Sequence, residues 1–94
     1  MSEKRRYLRE RSQGAVQLTW RDSAGVLHIS RGECVDISQE GLRVELRERI
    51  ELRTLVQVKV LSSPLRTATV RYCSPQKLKF ILGLEFLQTV KRYD

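Results

Sequence analysis

Apolar residues recur at every second position along most of the chain. In VQLTW, residues 16–20, Val16, Leu18 and Trp20 share one face while Gln17 and Thr19 take the other. A period of two is the signature of a half-buried strand, because successive side chains leave a pleated backbone on opposite sides. The pattern repeats in VLHIS, where Leu27 and Ile29 alternate with His28, and in LRVEL, where Leu42, Val44 and Leu46 oppose Arg43 and Glu45. It returns in VQVKV with Val56, Val58 and Val60, and in ATVRY with Ala68, Val70 and Tyr72. It closes in LKFILGLEF, which directs Leu78, Phe80, Leu82, Leu84 and Phe86 one way.

Turn chemistry separates these runs. RDSAG, residues 21–25, supplies Asp, Ser and Gly for a hairpin, and SSPL and SPQ each carry a proline that cannot donate to a central ladder. Only LRERIEL, residues 46–52, and the closing LQTVKRYD suit a helical turn or short helix. About six short antiparallel strands with one apolar face each must bury that face in a sandwich or a closed barrel, and the barrel also removes exposed edges. On this pattern Trp20 belongs to the core or the barrel rim, His28 to a polar surface, and Cys34 to the core as a small hydrophobe.

Composition narrows the function classes. The chain has 94 residues, enough for one domain with a core. Its formal charge of +7 favours anionic partners. Two cysteines and one histidine without metal-ligand spacing cannot form an ordinary four-ligand zinc site. With His28 on a polar face and Asp22 and Ser23 in a turn, neither a Ser-His-Asp arrangement nor an acid-base pair of carboxylates stands out; the chain reads as a non-enzyme. No apolar run is long enough to span a membrane, and no signal peptide is evident, so a reduced, cytoplasmic protein without membrane insertion is expected.

Charge is densest in EKRRYLRER, residues 3–11, with five positive and two negative side chains. Taken alone, this is a solvated tail. Arg5 and Arg9, however, stand four apart and can converge on one ligand, gripping phosphate oxygens bidentately, reaching a guanine O6/N7 edge or stacking on a base. A second polar stretch, DISQEG, residues 36–41, lies between two strands. It reads either as a turn in which Asp36 and Ser38 bond nearby amides and Gly41 takes a positive φ, or as a contact site. In the contact reading the Asp36 carboxylate accepts from guanine N1 and N2, Ser38 adds a hydroxyl and Gly41 lets the backbone approach.

The Arg-x-x-x-Arg of RRYLR, followed by the Asp-x-Ser-x-x-Gly of DISQEG in an all-β chain of this size, resembles the PilZ domain family, bacterial receptors for cyclic di-GMP. GLRVEL, ATVRY and LGLEF are similar to the later strands of that family, and the likeness spans the whole chain. Lys4 stands where an arginine is often found, and the terminal helix of many members would be short here. The resemblance implies a small six-stranded antiparallel β-barrel with a flexible basic N-terminal arm and at most a short C-terminal helix. It implies one domain over residues 1–94: a ligand-clasping arm at 1–12, a barrel at 13–88 and a tail at 89–94. Arg5 and Arg9 would contact phosphates and guanine faces or edges, Asp36 and Ser38 would read guanine from the barrel, and Gly41 would shape the turn. No cofactor is implied; the ligand is cyclic di-GMP, and an arm that orders on it would signal to a downstream effector protein. Two other readings stand beside this one: a PilZ-like protein-interaction adaptor that binds no ligand, and a small basic barrel that holds nucleic acid through its phosphates, for which the sequence offers few aromatics.

Overall fold

A computed structural model describes residues 10–11, 14–60 and 63–87. The chain runs through β1 (Glu10–Arg11), β2 (Ala15–Arg21), β3 (Leu27–Ile37), β4 (Gly41–Leu46), β5 (Leu55–Val60), β6 (Arg66–Gln76) and β7 (Lys79–Phe86). Neighbours pair antiparallel in the order β3-β2-β5-β6-β7-β4, and a β3–β4 pairing closes the ring. The result is a closed six-stranded barrel, with the two-residue β1 laid beside the end of β3. Closure leaves the alternating apolar faces one place to go. Val16, Leu18, Leu42, Val44, Leu46, Val56, Val58, Ala68, Val70, Leu82 and Leu84 fill the interior. Leu82 is fully buried, so Leu82→Ala is expected to cost about 2–5 kcal/mol in a denaturant titration, since the cavity cannot collapse completely.

The expected strands all form, but several faces differ. Leu27 and Ile29 point outward, 51% and 60% exposed, and the inward positions of β3 are small: Ser30, Gly32 and Cys34. Neighbouring strands have already filled that volume. A Cβ on Gly32 would stand 2.0 Å from the Glu45 carbonyl oxygen and 2.6 Å from the Leu46 side chain. LRERIEL forms no helix. Ile50 buries against the core, while Arg53 N–H donates to the Val70 carbonyl and Val70 N–H to that of Thr54. These long-range bonds replace the local ones of a helical turn. Pro75 lies inside β6, opposite Phe80, beyond the last pairing with β5 where that edge needs no donor. The two-residue turn that follows exposes Leu78. The closing residues 88–94 lie outside the described part.

At the start of β3, His28 is not a plain surface histidine. Its ring stacks on Trp20, centroids 5.1 Å apart, and its Nε2 lies 2.8 Å from an oxygen of Asp22. Asp22 also accepts the Ala24 and Val26 amides, and Gly25 at φ +86 completes the turn. The His28 hydrogen bond, helped by the Val26 amide, holds the Asp22 carboxyl below its ordinary value. A depressed pKa means that this stabilisation is present above the unfolded carboxylate value and is lost as pH falls through the folded one. Asp22→Asn is therefore expected to flatten the acid limb of the thermal-stability profile below about pH 4, leaving the neutral region less changed.

Among the described residues, no helix is long and apolar enough to cross a membrane, and no group of three or more His, Cys, Asp and Glu could hold a metal ion.

Candidate functional site

Two β-bulges build the site. Pairing between β3 and β4 runs Cys34 to Val44 and then Asp36 to Arg43, so Val35 is an extra residue. Without it, Asp36 would follow Cys34 into the barrel. The bulge turns it instead to the outer side beside Arg43. Between β6 and β7, Val70 pairs with Leu84 and Tyr72 with Gly83, which leaves Arg71 extra and turns Tyr72 outward. The alternation in ATVRY placed Tyr72 with the core; the bulge reverses that, and the residue is 41% exposed.

Because Arg43 also pairs with Gly83, the two bulges align Asp36, Arg43, Gly83 and Tyr72 in one row across four strands. Arg43, Gly83 and Tyr72 of this row line an outer groove of about 500 Å³ together with Ser38, Gly41 and the Arg71–Glu85 pair, and Asp36 adjoins it through Arg43. That volume suits a small molecule.

Each polar group in the row is held. Arg43 grips the Asp36 carboxylate as a fork, with Nε at 3.0 and 3.2 Å from its oxygens and Nη2 on Oδ2. The Asp36 side chain is 11% exposed and that of Arg43 is 45%. The carboxylate, with the Tyr72 phenol as a lesser neighbour, raises the Arg43 pKa further above its already high ordinary value. Tyr72 lies across Gly83: a Cβ there would fall 2.2–2.7 Å from three of its ring carbons.

DISQEG forms the tight connection from β3 to β4. Ser38 N–H donates to the Gly41 carbonyl at 2.8 Å, and Ser38 Oγ accepts the Glu40 amide at 3.3 Å. Gly41 does not take a positive φ. Its requirement is space, since a Cβ would meet the Leu84 carbonyl oxygen at 2.0 Å.

Ser38 and Gly41 thus line one groove, with Asp36 joined to it through Arg43, whereas Arg5 and Arg9 lie outside the described residues. Their nearest described neighbours are informative: Glu10 pairs with Ile37 and Arg11 with Asp36, so the chain enters β1 one residue after Arg9 and its backbone runs alongside Asp36. Sequence reading missed Arg43 and Tyr72, because bulges cannot be seen in an alternation count. A signal for them exists in Gly83, an isolated glycine in an apolar strand, which marks a bulge or a close approach.

The PilZ domain family matches residues 3–93. The chain belongs to the PilZ domain family. No curated protein matches it. Among solved structures it is similar to the PilZ domain with c-di-GMP of YcgR from Escherichia coli, at a TM-score of 0.64 and 17% identity, over 90% of this chain and 79% of that one. At that identity the likeness speaks to the fold, and the PilZ barrel is the fold found here.

Proposed function

We propose that this PilZ domain is a cytoplasmic receptor for cyclic di-GMP, bound on the outer groove and clasped by residues 1–12. The observation that carries this reading is the row Asp36–Arg43 beside Ser38 and Gly41, reached by a chain whose Glu10 and Arg11, the two residues after Arg9, pair with Ile37 and Asp36. The similar solved structure, the PilZ domain with c-di-GMP of YcgR, supports the ligand class.

The electrostatics call for the arm. Around the groove, Arg43 and Arg71 stand against Asp36, Glu40 and Glu85, so its described side chains do not neutralise a dianion. Arg5 and Arg9 supply the missing charge and the forked donors that suit phosphate. On the barrel side, a carboxylate offers about four lone-pair sites and the Arg43 fork takes part of them. Guanine N1–H and N2–H donate to Asp36 as Arg43 yields part of its grip and turns its own donors to phosphate or to the O6/N7 edge. Ser38 adds its hydroxyl, and Gly41 keeps the connection low. An arm that is pinned only when ligand is present is a two-state element, and its bound form offers a downstream effector a new surface.

Calorimetric titration with cyclic di-GMP, with GTP and a short oligonucleotide as controls, tests the reading. Saturable binding of cyclic di-GMP alone is expected. Asp36→Ala should weaken it about 100-fold, the loss of two charge-assisted bonds being offset in part by Arg43 donors freed for the ligand, and should also cost about 1–2 kcal/mol of stability because Arg43 loses its counterion. The sequence placed Asp36 outside the core; it is 8% exposed, so its removal is not neutral for the fold. Preferential, steeply salt-dependent binding of the oligonucleotide would favour a phosphate-binding basic barrel instead. Silence toward every ligand would favour an adaptor.

A further inference from the structure

Tyr72 belongs to neither motif, yet it is the one exposed aromatic ring bordering the groove among the described residues. Three features hold it there. The bulge at Arg71 turns it outward, Gly83 leaves the space its ring occupies, and Arg43 is the next residue of the row beyond Gly83. A ring fixed on three sides loses little freedom when a base lies on it, and this is the condition for an effective stacking platform. Its position in the row matters equally. Asp36 and Tyr72 flank Arg43 and Gly83, so a planar base whose edge donates to Asp36 extends along the row toward the Tyr72 ring.

We infer that Tyr72 is a purine-stacking platform, seated on Gly83 and aligned by Arg43, that sets how tightly a guanine base is held once Asp36 has read its edge. The inference rests on the proposed cyclic di-GMP site and adds to it a base-face contact that the two motifs lack. Stacking supplies affinity and Asp36 supplies the choice of base, because every purine offers a π-face and only guanine presents the N1–H and N2–H donors.

The test combines calorimetry with NMR on the full 94-residue chain. Tyr72→Ala is expected to bind cyclic di-GMP roughly 5- to 150-fold more weakly than the wild type. Tyr72→Phe, which retains the ring, should restore affinity to within about threefold of wild type by the same stacking argument. Gly83→Ala, which pushes the ring off its seat, should weaken binding in the same direction as Tyr72→Ala. Intermolecular NOEs from the Tyr72 ring protons to guanine H8 in the wild-type complex are the readout that a purely structural tyrosine would not give. Wild-type binding without those NOEs, or Tyr72→Ala binding as tightly as wild type, overturns the platform and leaves the cyclic di-GMP site standing. Failure of the wild type to bind cyclic di-GMP overturns both. If Tyr72→Ala melts far below wild type, the NOEs and Tyr72→Phe still decide the matter.

Discussion

Replacing Arg5 and Arg9 together with alanine is expected to weaken cyclic di-GMP binding about 1,000-fold while leaving the barrel folded. Two charge-assisted contacts worth roughly 1.5–3 kcal/mol each account for it. The barrel side alone cannot compensate, because its described cations near the groove are already engaged: Arg43 on Asp36 and Arg71 on Glu85 at 2.9 Å. On the proposed binding mode, Arg43 would turn only part of its fork to the ligand. The residual affinity should come from Asp36, Ser38 and the face of the base. It should therefore vary less with salt than wild-type binding does, because the phosphate term is the screened one. Calorimetry of the wild type and the double variant at two salt concentrations measures both quantities. A double variant within tenfold of wild type would take the arm out of the site.

The strand pattern was legible because a barrel interior obeys the period of two. Val16, Leu18, Val44, Val56 and Leu84 all fall where alternation puts them. It became misleading where a bulge adds one residue. Alternation sends Tyr72 inward after Val70, and the extra residue Arg71 turns it out, as Val35 turns Asp36. It was also unreliable where interior volume was already taken, as at β3, which presents Gly32 inward and leaves Ile29 in solvent.

The site was half legible for a related reason. Asp36, Ser38 and Gly41 are close in sequence, so their spacing announced them. Arg43, Tyr72 and Gly83 meet only through the pairing of three strands, and no local spacing records a cross-strand row. His28 shows the same limit, since its partner Asp22 sits across a hairpin turn and the stack on Trp20 requires the β2–β3 register.

Gly41→Ala is expected to cost at least about 3 kcal/mol of folding stability, visible as a melting temperature more than about 10 °C below wild type. The demand at this position is spatial. The added methyl would meet the Leu84 carbonyl oxygen at 2.0 Å and the Glu85 Cα at 3.1 Å, both backbone atoms that cannot swing aside as a side chain can. Relief requires β4 to move from β7 at their first pair. That movement disturbs the Phe86 N–H to Glu40 carbonyl bond at 2.9 Å and the Ser38 N–H to Gly41 carbonyl bond at 2.8 Å that close the connection. Gly25→Ala is the contrast. A methyl there meets nothing within 4 Å, and the cost arises only from a left-handed φ of +86, about 1 kcal/mol. Comparable melting temperatures for the two variants would place the importance of Gly41 elsewhere. If the difference is found, loss of cyclic di-GMP binding in Gly41→Ala follows from a displaced β4, carrying Arg43 with it, and says nothing of direct contact. Only Asp36 and Ser38 variants then report on the ligand from within DISQEG.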